Sequence, residues 1–282
     1  MTRLRHLSLA LSLALGLSLA LGPAAPASAA DTPASTTLNV FAAASLREAF
    51  TAIGKQFESD NHVAVHFNFA GADMLANQIV QGAPADVFAS ANEAWAKFLQ
   101  DKGELGSAPQ VFARNRLTII VPKSNPGAIL RAGDLAKPGV KIVLEAPTVP
   151  IGKYSRDAFK AMSADPAYGA AFAAKVEANV VSNEIDVKAV AAKISTGEGD
   201  AGIVYITDVT PIAASVSAVA MPPEYTPTAV YPIAVVKGAA SPDLATKFVA
   251  YVLSPAGQAA LRQRGFLPPV PLVEPVAPAP IR

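Results

Sequence analysis

The sequence predicts an α/β protein of two lobes, each a mainly parallel sheet flanked by helices. Three observations predict it. Short apolar stretches with strand character alternate with amphipathic helical stretches, the pattern of strand–helix–strand units. The chain has 282 residues, more than one core of ordinary size takes up at roughly 100 to 200 residues per domain. With 51% hydrophobic and only 16% charged residues, it carries enough apolar side chain for a sizeable interior.

The elements follow in order. TLNVFA, Thr37 to Ala42, reads as a strand, and SLREAFTAIGKQFES, Ser45 to Ser59, sets Leu46, Phe50, Ile53 and Phe57 at helical spacing. VAVHFNFA alternates Val63, Val65, Phe67 and Phe69 as a strand does, and GADMLANQIVQG opens a helix. ADVFAS and ANEAWAKFLQDKG repeat the unit, and Gly106 to Asn115 reads as a turn. Strands LTIIVP and KIVLEAP come next, then a helix from PIGKYSRDAFKAM, strand VEANVVS, helix IDVKAVAAKIS and strand GIVYI. The expected lobes span 38–115 completed by 238–267, and 116–237, with LTIIVP and AVYPIAVV as the crossover strands that the family resemblance set out below implies.

Both ends differ from this body. Arg3 and Arg5 precede an uncharged Leu/Ala run from Leu7 to Leu21 and then PAAPASAAD. That is the pattern of a secretory signal peptide over residues 1–30, cut near Ala29 or Ala30, with a basic organelle transit peptide as the alternative. Residues 268–282 are so rich in proline that they read as a flexible tail. The chain has no cysteine, which excludes disulfides, thiolate zinc sites and a lipid-bearing cysteine, so the expectation is a periplasmic protein. Near balance between 23 basic and 22 acidic residues argues against nucleic acid as a partner.

Chemistry concentrates where strands run into helices, the place where ligands of α/β sheets bind. Ser45 follows three alanines at such a junction, and two readings compete. It either closes a capping box with Glu48 or offers its hydroxyl and amide to an anion at a helix start. FAGADMLA repeats small residues at Gly71 and Ala72. TVPIGKYS places Pro150 in a first helical turn, leaving the amides of Ile151 and Gly152 free. SNEIDVKAV starts a helix near Val187, and Tyr205 closes the strand GIVY.

Enzyme motifs are absent. There is no G-x-S-x-G sequence, and without cysteine a nucleophile and its base are hard to assemble. His62 and His66, read as four apart on one strand, would lie roughly 13 Å apart, too far for one metal. PTVPIGKYS has Pro147 and Tyr154 where a phosphate-binding loop has glycine and Ser/Thr. Glu184 and Asp186 read as a solvated helix start.

FAAASLREAF, the run from Ala70 to Phe88, VPIGKY and GIVY together resemble the periplasmic molybdate-binding proteins of ABC transporters, which have the type II periplasmic-binding fold. The resemblance covers about Leu38 to Leu267. It implies two lobes closing over a dehydrated tetrahedral oxyanion, held by hydroxyls and main-chain amides, with tungstate as a second ligand. It implies Ser45 (hydroxyl and amide), Ala72, Ile151 and Val187 (amides) and Tyr205 (phenol) as the binding residues, no cofactor or direct metal-ion ligand, an inner-membrane ABC permease as partner, and a monomer. Ala72 stands where relatives typically have a serine, so one hydroxyl is missing, and Asp73 must point away from an anion. Sulfate, thiosulfate or phosphate is the alternative ligand, Asp73 being an acceptor for protonated phosphate. A ferric ion would need clustered tyrosines or carboxylates.

Overall fold

A computed structural model describes residues 36–270. The expected signal peptide and the tail beyond residue 270 lie outside the described residues. In chain order the elements are β1 (Thr37–Ala43), α1 (Arg47–Asn61), β2 (Ala64–Ala70), α2 (Ala72–Val80), β3 (Val87–Ala89), α3 (Glu93–Asp101), β4 (Gln110–Asn115) and β5 (Leu117–Pro122). They continue as β6 (Ile142–Glu145), α4 (Pro150–Ser163), α5 (Phe172–Ala178), β7 (Val180–Glu184), α6 (Val187–Ser195) and β8 (Ala201–Tyr205). The chain ends in β9 (Val216–Ala220), β10 (Ala229–Val235), α7 (Pro242–Leu253) and α8 (Pro255–Gln263). No described helix is long and apolar enough to cross a membrane.

Two five-stranded sheets form, in the orders β2-β1-β3-β10-β4 and β7-β6-β8-β5-β9. The same layout is used twice: three parallel strands, then two antiparallel pairings. Of the parallel strands, β1, β2, β3, β6 and β7 lead into helices, as βα units require, and β8 leads into 3-10 turns. The antiparallel pairings come from strands that cross between lobes, so the sheets are mixed where the sequence expectation is mainly parallel. Arg116 alone separates β4 in the first sheet from β5 in the second.

Three further elements differ from the sequence expectation. β10 is hydrogen bonded in the first sheet, between β3 and β4, although 116–237 was the expected extent of the second lobe. Pro232 sits at a register irregularity of that strand, where the missing N–H is tolerated. Gly106 to Asn115 is a turn only at first, because Phe112 and Ala113 are buried in β4. VEANVVS divides: Val176 to Ala178 end α5, where Phe172 and Val176, one turn apart, bury a face. His62 caps α1 at φ 54° and is off the strand, so the two histidines do not share one.

The first lobe is organised around aromatic rings. Phe50 lies 5.6 Å from Phe112 and 6.0 Å from Phe248, and Phe57 lies 5.2 Å from Phe248 edge-on. These contacts fasten α7 to α1, and Gln258 of α8 donates to the Phe112 carbonyl at 2.9 Å. The lobe is thereby closed by the chain's last helices.

Candidate functional site

The doubled layout gives each lobe three strand ends facing the other lobe. In the first, β1 runs into a 3-10 turn at Ala44–Leu46 and β2 into α2. In the second, β6 leads to α4, β7 to α6, and β8 ends at Tyr205. Helix starts carry unpaired amides and the positive end of the helix dipole. Ser45, Ala72, Val187 and Tyr205 all line one small cavity of about 10 Å³ between the lobes. Ile151 is the next residue after its lining residue Pro150. The structure therefore brings four of the five sequence-predicted residues to one cavity, and Ile151 stands beside it without lining it.

Ser45 does not form the capping box. The turn at Ala44–Leu46 has no side-chain cap, and neither has α1. Ser45 Oγ instead lies 3.1 Å from Tyr231 Oη, with both residues buried. Asn115 Nδ2 donates to Tyr231 Oη at 3.5 Å, and Asn115 Oδ1 is fixed by the Arg116 amide at 2.9 Å. Since Asn115 can only donate there, the Tyr231 proton is free to go to Ser45 Oγ, which leaves the Ser45 proton for a ligand. Glu48 turns away to Lys188 at 2.8 Å.

The second lobe differs in charge. No side chain caps the start of α2, whereas both corresponding helix starts in the second lobe meet a carboxyl group. Asp186 accepts from the amides of Lys188 and Ala189, leaving the Val187 amide at the first helical position without an intrahelical acceptor. Glu145 Oε2 accepts from the Ile151 amide at 3.2 Å, so the donor expected to be free is engaged. Glu145 also lines the cavity. Burial, then the charges of Asp186 and Asp208, push its carboxyl well above the usual range. Burial likewise pushes the Tyr205 phenol well up, so it is a neutral donor, and its Oη is buried without a hydrogen-bond partner among the described residues.

Across the cleft the lobes are joined by polar contacts. Trp95 Nε1 donates to the Thr148 carbonyl at 3.0 Å, and Thr148 Oγ1 donates to Asp73 Oδ2 at 3.1 Å. Asp73 thus faces the cleft rim and does not line the cavity. Lys188 pairs with Glu48 of the first lobe and with Asp208, at 2.9 Å, of the second. Burial pushes Asp208 up to about 6 despite this partner. For Lys188, burial pulls the ammonium down, but Asp208 and Glu48 outweigh it and the net direction is up.

Glu145, Tyr231, Asn115 and Lys188 are the site residues that sequence reasoning missed. Tyr231 lies 186 positions from Ser45, with no local pattern linking them. Glu145 left one trace, an acidic residue ending the apolar run Ile142–Glu145.

Residues 38–267 match the family described as Bacterial extracellular solute-binding protein. The molybdate-binding protein ModA of Mycobacterium tuberculosis is 41% identical over 242 residues, covering 86% of this chain and 88% of that protein. ModA of Escherichia coli is 33% identical over 71% of this chain and 77% of its own length. The periplasmic molybdate-binding protein of Azotobacter vinelandii has the same fold, with a TM-score of 0.71 at 22% identity over 83% of this chain and all of that one. The chain belongs to the bacterial extracellular solute-binding protein family.

Proposed function

We propose that this chain is an exported molybdate-binding protein that also takes tungstate, acts as a monomer and delivers its ligand to an ABC permease. The observation that carries the reading is the convergence of Ser45, Ala72, Val187 and Tyr205, the last with an orphaned Oη, on one cavity whose lining, among the described residues, contains no Lys or Arg. Such a site holds a dehydrated anion by neutral donors and helix ends. The resemblance of the whole chain to the mycobacterial and Escherichia coli proteins supports the ligand.

Binding follows from placing donors on both lobes. An open form offers each half-site to water, and only the closed form satisfies the ligand from both sides. Ligand therefore shifts the population by its differential affinity for the closed state. Donors meet oxygen atoms of the anion, and no bond in the ligand is made or broken. Release is a matter of reopening, which docking on a permease would drive.

Calorimetric titration against molybdate, tungstate, sulfate and phosphate tests the proposal. One site with molybdate and tungstate far tighter than sulfate and phosphate is the expected outcome. Preference for sulfate or phosphate would replace the ligand while keeping the mode of binding.

A further inference from the structure

We propose that Glu145 is a specificity-determining residue of this pocket: it enters the closed, ligand-bound site as a neutral carboxylic acid, so binding a fully ionised oxyanion takes up one proton. The inference rests on the oxyanion reading above and adds a role that none of the five ligand-binding residues has.

Position is the first ground. Glu145 is 4% exposed, lines the cavity with Ser45, Ala72 and Tyr205, and holds the Ile151 amide through Oε2. Its carboxyl therefore occupies the start of α4, where the oxyanion would take the same amide. Asp186 also lines the cavity, but its carboxylate is engaged by the amides of Lys188 and Ala189; a second charged carboxylate, at the Ile151 amide, would meet a dianion with no cation between them.

Among the described residues no cation is available there. Lys188 is committed to Glu48 and Asp208, and Lys193 pairs at 2.6 Å with Glu184, the β7 partner of Glu145. On α4, Lys153 pairs outward with Asp157. Arg156 Nη1 donates to the Glu145 main-chain oxygen at 3.0 Å, and Arg156 Nη2 to Glu177 and Asn183. The groups whose charges act on the carboxyl are Asp186 at the start of α6 and Asp208 after β8, both acidic. Tyr205 from β8 is neutral. With burial and these neighbours all opposing ionisation, a proton is the counterion the site can accept.

In the open cleft Glu145 meets water and ionises as an ordinary carboxylate. Closing on an oxyanion then protonates it. Fully ionised molybdate, tungstate and sulfate bring no proton of their own, so the proton comes from solvent.

Titrations of wild-type protein with molybdate in two buffers of different ionisation enthalpy count the protons directly. Above the ordinary carboxylate range, from about pH 6.5, uptake should approach one proton and affinity should fall by about tenfold per pH unit over the same range. Glu145→Gln, isosteric and permanently neutral, should bind with no net uptake and little pH dependence. Heat of binding with no proton uptake in wild type, or unchanged uptake in Glu145→Gln, overturns this inference alone. If that variant does not fold, the wild-type proton count decides. No heat with any of molybdate, tungstate, sulfate or phosphate overturns the binding reading and this inference with it.

Discussion

Ser45 shows how much one residue depends on a partner far along the chain. Its position after three alanines at a strand end was legible in the sequence, but the choice between cap and ligand donor was not. Tyr231, which settles the direction of the Ser45 hydroxyl, arrives from β10. Ser45→Ala and Tyr205→Phe should each weaken molybdate binding roughly tenfold or more, since a hydrogen bond to a charged group is worth ~1.5 to 3 kcal/mol. Tyr231→Phe should weaken it less, because Ser45 keeps its hydroxyl and loses only its orientation. Calorimetry on the three variants, with circular dichroism to verify folding, checks this ordering. Glu145 was illegible for another reason: its meaning depends on what α4, α6 and β8 bring around it. Its carboxyl and that of Asp208 are both raised by burial in the folded state. The folded protein then binds more protons than the unfolded chain, so their contribution to stability is lost as pH rises. Asp208 acts between about pH 4 and about pH 6, and Glu145 only in the closed form, where burial raises its carboxyl. Unliganded protein should therefore melt at a lower temperature as pH rises from about 4 to about 6, and Asp208→Asn should flatten the decline.

Helices and strands were more legible than side-chain partners, because periodicity survives in the sequence wherever one face is buried. α1, α3, α4 and α6 start near the expected places. β4 and α5 escaped because Gln110–Asn115 is polar at both ends, and because valines near Asn179 suit either state until Phe172 packs. The start of α4 makes a sharper claim at the level of the element. A Cβ on Gly152 would stand 2.0 Å from the Ala146 carbonyl oxygen and 2.7 Å from that of Glu145, so only glycine lets α4 begin this close to the end of β6. Gly152→Ala must push the helix start outward, at a cost typical of overpacking, ~1 to 3 kcal/mol. Melting should drop by about 2 to 4 °C per kcal/mol for a protein near this size, and molybdate affinity should fall with it as the amide donors move. Unchanged melting and affinity would show that the approach is looser than these distances.

On the scale of the whole molecule, the two-lobed architecture followed from alternation and length, while the mixed sheets and the β10 assignment needed the hydrogen-bond pairing. Closure itself is testable at Gly71. A Cβ there would meet the Ile185 carbonyl oxygen across the cleft at 2.5 Å, whereas the Asp73 carboxylate at 2.6 Å can rotate away. The Gly71 backbone, at φ −58°, accommodates alanine without strain. Gly71→Ala should leave melting of the unliganded protein little changed while reducing molybdate affinity at least about tenfold, since the lobes would meet before the donors converge. A large melting change with normal affinity would place the contact outside the closing motion. The central claim, that donors from both lobes hold an oxyanion at this one cavity, is tested most directly by anomalous diffraction from crystals grown with tungstate. The account predicts a single strong peak between the lobes, with oxygen atoms within hydrogen-bond reach of Ser45 Oγ, Tyr205 Oη and the Ala72 and Val187 amides. A peak elsewhere, such as the groove lined by Arg116, Arg262 and Arg264, with none between the lobes, would contradict it.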